Sequence, residues 1–245
     1  MGFECISRAE IRRTLMKHVA IVLAAGRGKR MGSDIPKQYL LLGGRPVLYY
    51  SLKTFEESFL DEIILVTAES EIEYCRKNMI EKYNFRKVKQ IVAGGAERYH
   101  SVFAGLQAVT DCSYVYIHDG ARPFVTQSDL LKLKESVEKE QACVAAMPVK
   151  DTIKWSNMNQ YVESTPPRNR LWAIQTPQVF SYELVFDAYS RLMGAEVDGV
   201  TDDAMVVETM TDHPVKLVEM SYRNIKITTP EDLIIGEAFV KNPVN

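Results

Sequence analysis

Cysteine is scarce in this chain, and its cysteines are not spaced as metal ligands. Only four occur in 245 residues: Cys5, Cys75, Cys112 and Cys143. They lie far apart and include no CxxC pair, which is the usual half of a structural zinc site. The pattern therefore argues against a zinc site and favours reduced thiols in a cytoplasmic protein.

An excess of charge and a long hydrophobic run are missing as well. The 30 lysines and arginines nearly balance the 32 aspartates and glutamates, so no overall field would hold nucleic acid or an anionic membrane. No apolar stretch approaches the roughly 20 residues of a membrane span. Residues 1–17 carry cations but no apolar core, which makes them a poor secretory signal and an N-terminal extension of unknown role.

Two well-known glycine motifs are also absent. The segment AAGRGKRMG at residues 24–32 has Met31 where the dinucleotide fingerprint requires its third glycine. No glycine-lysine pair followed by serine or threonine completes a P-loop. A dinucleotide-dependent oxidoreductase is therefore disfavoured.

The sequence does contain a turn of small residues surrounded by cations. An apolar run at residues 20–23 predicts a buried strand, and Gly26 and Gly28 allow the backbone to bend sharply after it. Four cations follow within eleven positions: Arg27, Lys29, Arg30 and Lys37. Bare backbone N–H groups beside cations form an anion site that suits a polyphosphate. The alternative is a strand-to-helix turn with solvated cations.

Strand and helix patterns alternate up to Lys150. Short apolar runs at residues 20–23, 62–67, 88–92, 114–118 and 143–147 are separated by apolar residues at helical spacing. This alternation predicts an α/β fold, a Rossmann-like three-layer sandwich with a mostly parallel sheet. Special turns at Gly26, Gly94 and Asp119 all follow strand carboxyl ends, where such sheets bind ligands, so we expect them to converge on one site.

The pattern changes after Lys150. Residues 151–155 and 160–163 predict a β-hairpin. A hairpin that projects from an α/β sheet needs a cover for its edges, so we expect a β-arm at about residues 151–175 that pairs with a second subunit. The alternative is an arm folded back on its own domain.

The rest of the chain returns to regular patterns. We expect helices at residues 184–192 and 202–210 and strands at 215–218 and 224–228. Thr229 with Asp232 predicts a capping box that opens a last helix, and Thr126 with Asp129 predicts one at the start of an earlier helix. Residues 18–245 are thus expected to form one domain with an arm.

Four segments together resemble the 2-C-methyl-D-erythritol 4-phosphate cytidylyltransferase family. They are LAAGRGKRM at residues 23–31, PKQ at 36–38, IHDGARP at 117–123 and NIKITTPED at 224–232. The first is shared by sugar nucleotidyltransferases at large, whereas the last two are more specific. The resemblance covers about residues 18–240 and implies transfer of CMP from CTP to methylerythritol phosphate, with release of pyrophosphate, in non-mevalonate isoprenoid biosynthesis.

The resemblance also implies roles for individual residues. The family's catalytic cations match Arg30, Lys37 and Lys226. Its nucleotide-binding positions match Ala24, Ala25, Gly26, Gly28, Gly95, Ser101 and Asp119. Its acceptor-binding positions match Arg122, Thr152, Arg168, Thr176, Thr201 and Thr228, with Arg168 reaching from the arm into the neighbouring subunit. Phosphoryl-type transfer asks mainly for positioning and for charge of this kind.

Asp119 is the metal ligand that the resemblance implies, because a carboxylate at a strand end suits Mg²⁺. The alternative is that Asp119 only caps the following turn. His118 is expected to be structural, since an attacking phosphate needs no general base. For Thr201 an N-cap role is an equal alternative. Ala96 departs from the family, which often has a polar residue there, so a side-chain contact from this position is lost.

Competing functions stay open at this point. A ribitol-5-phosphate cytidylyltransferase shares the fold and the donor, although PVKDT at residues 148–152 and RNRLWAIQTPQ at 168–178 look more like the methylerythritol enzymes. A non-catalytic nucleotide-binding regulator could dispense with Lys37 and Lys226, so their presence favours an enzyme. The expected partners are CTP, a sugar-alcohol phosphate and a second copy of the chain, with no nucleic acid and no membrane.

Overall fold

The computed structural model describes residues 16–26, 35–195 and 199–242. Within these ranges the strands are β1 (His18–Leu23), β2 (Leu41–Leu42), β3 (Arg45–Pro46), β4 (Glu62–Thr67), β5 (Val88–Ala93), β6 (Tyr114–Asp119), β7 (Ala142–Pro148), β8 (Trp155–Ser156), β9 (Val162–Ser164), β10 (Trp172–Ser181) and β11 (Lys216–Glu219). The helices are α1 (Val47–Glu56), α2 (Ile72–Cys75, continued by a π-helical turn at Arg76–Glu81), α3 (Arg98–Ala108), α4 (Gln127–Glu140), α5 (Tyr182–Met193), α6 (Asp203–Thr211) and α7 (Pro230–Lys241). None of these helices is long and apolar enough to cross a membrane.

Seven strands form one sheet in the order β11, β7, β10, β6, β1, β4, β5. Neighbouring strands are parallel except where β10 pairs with β6 and β7. Leu23 at the end of β1 lies in register with Val66 of β4 and Asp119 of β6. The carboxyl ends of these central strands therefore meet at one edge, as the predicted mostly parallel α/β sheet requires.

Helices cover both faces of the sheet because successive side chains of each strand point in opposite directions. Ala20 and Val22 of β1 belong to the core that includes residues of α1, α2 and α4. Val19 and Ile21 belong to the core on the other face, with residues of α3, α5 and α6. Strands buried on both faces read as continuous apolar runs, which is why the sequence revealed them. The predicted three-layer arrangement is confirmed.

Capping chemistry determines where α4 and α7 begin. The Thr126 hydroxyl accepts the Asp129 N–H at 3.2 Å, and the Asp129 carboxylate accepts the Thr126 N–H at 3.0 Å. Thr229 and Asp232 form the same box, with Pro230 in the first turn. Both helix starts expected from the sequence are confirmed.

Strand β10 is the main element that the sequence analysis missed. Its ten residues run antiparallel between β6 and β7 in the middle of the sheet. A proline normally argues against a central strand, and Pro177 lies inside this one. The pairing with β7 is irregular between Ile174 and Gln178, which accommodates the proline.

The prediction of a strand at residues 224–228 is wrong. This segment has no regular ladder; instead the Ile227 N–H donates to the Ala121 carbonyl at 2.8 Å. The Asn224 side-chain amide donates to the Thr176 carbonyl at 2.9 Å. One backbone bond and one side-chain bond thus replace strand pairing and hold the chain on both sides of Lys226.

Strands β8 and β9 form the expected hairpin, with a short paired region that is separate from the central sheet. Its large apolar side chains are mostly exposed to solvent. Trp155, Met158, Tyr161 and Val162 are 66%, 99%, 73% and 61% exposed. The single chain therefore leaves an apolar projection uncovered, which is typical of an interaction surface.

Candidate active site

The loops that follow β1, β5 and β6 meet at one edge of the sheet. The Gly120 N–H donates to the Leu23 carbonyl at 2.9 Å, which joins the loop after β6 to the end of β1. A Cβ atom at Gly94 would lie only 2.8 Å from the Ala25 Cβ atom, so the loop after β5 packs closely on the loop after β1. The convergence of the turns at Gly26, Gly94 and Asp119 is confirmed.

A cleft of about 240 Å³ opens between these loops. Eight of the residues singled out from the sequence line it: Ala24, Ala25, Gly26, Lys37, Gly95, Ser101, Asp119 and Lys226. Small residues make up part of its lining, and the lysines and the aspartate bring charge to it. The arrangement suits a ligand with a compact polar group and several negative charges.

The Asp119 carboxylate is the centre of charge in this cleft. Lys226 Nζ donates to Asp119 Oδ2 at 2.6 Å, and Arg98 Nε lies 3.4 Å from Asp119 Oδ1. Burial alone would raise the pKa of Asp119, but Arg98 and Lys226 outweigh burial and hold that pKa well below its ordinary value. The carboxylate is therefore ionised at neutral pH and can serve as an oxygen ligand for a divalent cation.

Arg98 joins Asp119 to a second buried carboxylate. Its Nη1 and Nη2 atoms donate to the two oxygens of Asp203, each at 2.8 Å. The Tyr189 hydroxyl donates to Asp203 Oδ1 at 2.5 Å. No role was predicted from the sequence for Arg98, Asp203 or Tyr189. Arg98 lies between Gly95 and Ser101, but its partner Asp203 is 105 residues away, so no local spacing pointed to the pair.

A second cleft of about 310 Å³ lies beside the first. Arg98, Asp119 and Lys226 line both clefts and so form a shared wall. Three residues expected to bind the acceptor also line the second cleft: Arg122, Thr176 and Thr201. Two adjacent sites separated by paired charges are what a group-transfer reaction between two anions needs.

Three other residues expected to bind the acceptor lie elsewhere in the single chain. Thr152 and Arg168 are exposed at the base of the hairpin, where Arg168 Nη1 donates to the Lys150 carbonyl at 3.0 Å. The Thr228 N–H donates to the Asp232 carboxylate at 2.8 Å, at the start of α7. The described residues of one chain therefore do not bring the whole expected acceptor set together.

His118 supports the shared wall from the core. Its Nε2 atom donates to the Arg122 carbonyl at 3.1 Å, so Nδ1 accepts the Thr176 hydroxyl at 3.1 Å. The same hydroxyl accepts the Asp119 N–H at 3.0 Å. Burial lowers the pKa of His118 to about 4. The neutral ring thus fixes Thr176 and the backbone of Asp119, in agreement with the expected structural role.

Two polar side chains shape the loops of the first cleft. Ser101 Oγ accepts the Gly95 N–H at 3.1 Å and donates to the Glu97 carbonyl at 3.3 Å. Gln38 is 2% exposed, and its amide donates to the Ala24 carbonyl at 2.6 Å. Gln38 belongs to the PKQ motif but received no role from the sequence. These bonds give the loops their shape before any ligand arrives.

Some expectations concern residues outside the described part of the chain. Arg30 and Gly28 lie between residues 27 and 34, which the structure does not describe.

The N-cap alternative for Thr201 is wrong, because Asp202 caps α6 and its carboxylate accepts the Met205 N–H at 3.0 Å. The turn-capping alternative for Asp119 also fails, since both of its carboxylate oxygens face cations.

No group of three or more His, Cys, Asp or Glu side chains suited to a metal ion occurs among the described residues. Asp119 is thus a single carboxylate rather than part of a dedicated cage. Magnesium sites in enzymes of phosphorylated substrates commonly combine one or two carboxylates with substrate phosphates and water. The geometry is compatible with that second type.

Comparisons with known proteins identify the family of this chain. Residues 18–242 match the family model IspD, 2-C-methyl-D-erythritol 4-phosphate cytidylyltransferase. The enzyme of that name from Lachnospira eligens is 56% identical over 226 residues, which are 91% of this chain and 99% of the relative. The Alkaliphilus oremlandii enzyme is 50% identical over 230 residues, 93% of this chain and 96% of the relative.

Solved structures lead to the same family. The crystal structure of 4-diphosphocytidyl-2C-methyl-D-erythritol synthase from Anaerococcus prevotii superposes with a TM-score of 0.82 at 36% identity, over 93% of this chain and 97% of that one. The 2-C-methyl-D-erythritol 4-phosphate cytidylyltransferase of Thermus thermophilus superposes with a TM-score of 0.72 at 29% identity, over 90% and 98%. With the motifs, the clefts and these matches in agreement, this chain belongs to the 2-C-methyl-D-erythritol 4-phosphate cytidylyltransferase family.

Proposed function

We propose that the two clefts transfer CMP from CTP to 2-C-methyl-D-erythritol 4-phosphate, giving CDP-methylerythritol and pyrophosphate. One observation carries the proposal: the wall that contains Asp119 and Lys226 belongs to both clefts. A donor in the first cleft and an acceptor in the second would meet at that wall. Family membership identifies the two substrates.

The first cleft is the CTP site in this proposal. The loops at residues 24–26 and 95–97 line this cleft, and Lys37 and Lys226 contribute positive charge for the triphosphate. Arg30, whose role rests on the sequence motif, adds a third cation. Ser101 holds the loop after β5 in shape for the base, because its hydroxyl accepts the Gly95 N–H at 3.1 Å.

The second cleft takes the acceptor. Arg122 and Thr176 lie in its wall, and Thr201 lies at the start of α6. In the reaction an oxygen of the acceptor phosphate attacks the α-phosphorus of CTP. The bond from that phosphorus to the bridging oxygen breaks, and pyrophosphate leaves with the electron pair. The attacking phosphate is already an anion, so the protein's work is alignment and neutralisation of charge.

A second copy of the chain completes the acceptor site in this proposal. Thr152 and Arg168 lie at the base of an exposed hairpin, away from their own chain's clefts. Trp155 and Val162 on the same hairpin are 66% and 61% exposed, which a partner chain would cover. Reciprocal exchange of two such arms gives the closed twofold symmetry that most homodimers have.

Nucleotidyltransferases of this family generally use a divalent metal, and we propose Mg²⁺ held by Asp119. The carboxylate fits the ion because it is ionised and because Lys226 and Arg98 each approach a different oxygen, which leaves further lone pairs. When bound, the ion neutralises part of the triphosphate charge.

The thiols of Cys75 and Cys143 form no disulfide, which supports a cytoplasmic setting for the enzyme.

A screen for pyrophosphate release tests the proposal. Purified protein is incubated with Mg²⁺ and CTP, ATP, GTP or UTP, together with methylerythritol phosphate or ribitol 5-phosphate. We expect release only with CTP and methylerythritol phosphate. Pyrophosphate release with ribitol 5-phosphate alone would show that ribitol 5-phosphate is the acceptor. CTP binding without any release would favour a nucleotide-binding regulator.

A further inference from the structure

We infer that Tyr189 and Asp203 are positioning residues for the transfer reaction. Together they lock Arg98 so that its guanidinium holds Asp119 in the wall between the two clefts. The inference rests on the proposed function, because it concerns the same wall. It adds two buried residues that touch neither proposed substrate.

The geometry joins three helices at one point. Arg98 is the first residue of α3, Asp203 is the first residue of α6, and Tyr189 lies in the third turn of α5. The side chains of Asp203 and Tyr189 are fully buried. The Asp203 carboxylate receives both Nη atoms of Arg98 at 2.8 Å and the Tyr189 hydroxyl at 2.5 Å.

These bonds fix the direction in which Arg98 faces. A guanidinium held through both Nη atoms is a planar fork with a fixed orientation, and Nε is one of its three remaining N–H donors. That donor lies 3.4 Å from Asp119 Oδ1. If the Asp203 carboxylate turns, the whole fork turns with it and Nε leaves Asp119.

The Tyr189 hydroxyl is the contact that prevents such a turn. The backbone of α6 is already held at its start, where Gln178 Oε1 accepts the Ala204 N–H at 2.8 Å. Backbone anchoring does not set the rotation of a carboxylate about its own axis. A third hydrogen bond to one of its two oxygens does set this rotation, because turning the carboxylate would break that bond.

A purely structural ion pair would not need this arrangement. A buried ion pair is worth little net stability compared with apolar packing of the same volume. Arg98 nevertheless keeps 30% of its side chain exposed, and it lines both clefts. We therefore attribute the burial of Asp203 and of the Tyr189 hydroxyl to their effect on Arg98 in the clefts rather than to stability.

Tyr189→Phe tests the inference, with Tyr182→Phe as the matched control. Tyr182 lies on the same helix and packs in the same core, but its hydroxyl donates to the Leu106 carbonyl at 3.0 Å, away from Arg98. We expect Tyr189→Phe to lower kcat by about tenfold while the KM for CTP changes less than about twofold. Tyr182→Phe should keep kcat within about twofold of the wild type.

A double-mutant cycle with Arg98→Lys separates positioning from general destabilisation. Lysine keeps the charge but cannot form the fork, so Tyr189→Phe should change kcat by less than about twofold in that background. Equal losses in both backgrounds, or an equal loss in the Tyr182→Phe control, would overturn the inference. If Tyr189→Phe does not fold, Asp203→Glu is measured in the same two backgrounds and judged in the same way.

The wild-type protein keeps this test distinct from the test of the proposed function. A wild type without CTP-dependent pyrophosphate release contradicts the proposed function. If the wild type has that activity and Tyr189→Phe has the same kcat, only the positioning role is contradicted.

Discussion

Lys226 Nζ lies 2.6 Å from Asp119 Oδ2, although 107 residues separate them in the sequence. The ion pair connects the end of β6 to the irregular segment before α7, and it lies in the wall between the two clefts. Lys226 therefore helps to hold the pKa of Asp119 below its ordinary value at the place where we propose that two anionic substrates meet. This pair is the natural starting point for mutagenesis.

Replacement of Lys226 by Met should lower turnover by roughly a hundredfold or more, because removal of one preorganised charge donor costs about 2–4 kcal/mol in the transition state. The measurement is the steady-state rate of pyrophosphate release. Lys53→Met is the matched control, since Lys53 forms an exposed pair with Glu57 at 2.6 Å. An exposed pair contributes about 0–1 kcal/mol to stability. A loss below about tenfold for Lys226→Met would contradict its catalytic role.

Asp119→Asn should remove both the metal ligand and the negative partner of Lys226. We expect turnover to fall by at least about a hundredfold and the concentration of Mg²⁺ needed for half activation to rise. In the wild type, EDTA should abolish activity and excess Mg²⁺ should restore it. Asp187→Asn, which removes an exposed partner of Arg191, serves as the control. Full activity of the wild type in EDTA would argue against the metal.

Charge placed on the hairpin should separate the subunits. Trp155→Glu combined with Val162→Glu puts two carboxylates on the apolar surface that we propose to be covered in the dimer. Desolvation of unpaired charge is costly, so sedimentation should show a monomer with little activity. A double variant that still sediments as a dimer would place the interface elsewhere.

Mixed dimers test whether the acceptor site is shared between chains. Arg168→Ala and Lys37→Ala should each be inactive alone. Mixed and allowed to exchange, they should recover part of the activity, because one of the two sites in each mixed dimer then has both residues intact. Absence of recovery in a mixed dimer confirmed by mass would show that Arg168 does not act across the interface.

Stability should fall as the pH drops from about 6.5 towards 4. Burial lowers the pKa of His118 and of His18 to about 4, below the ordinary value for histidine. The unfolded chain therefore binds more protons in this range, and the free energy of unfolding decreases by roughly 1.4 kcal/mol per pH unit for each histidine. Urea unfolding between pH 5 and 7 measures the slope. His118→Gln should flatten it, and an unchanged slope would refute the assignment.

Much of the fold was predictable because its signals are local. Apolar runs marked the parallel strands, since both of their faces are buried, and two capping boxes marked helix starts at Thr126 and Thr229. Strand β10 was hidden because Pro177 and several polar residues interrupt its pattern. Those polar residues face the second cleft and the helix α6, so the features that obscured the strand reflect its place at the site.

The site was predictable only where short motifs carry its chemistry. Asp119, Lys226 and the small residues 24–26 lie in such motifs, and the structure brings them together in one cleft. The contacts of Arg98 with Asp203 and Tyr189 depend on how α3, α5 and α6 pack, and no spacing within one segment encodes them. Long-range pairs of this kind require the three-dimensional arrangement of the helices.

Strand β10 starts at Trp172, eight residues after the hairpin strand β9 ends at Ser164, and reaches Thr176 four residues later in the wall of the second cleft. At the rise of an extended chain, the step from Trp172 to Thr176 spans roughly 13 Å, so this part of β10 is a nearly inextensible tether between the arm and the cleft. In the proposed dimer, a small molecule wedged between the subunits would pull on this tether. We expect such a compound to inhibit without competing with CTP, because its binding site would lie outside the cleft that we propose for the nucleotide.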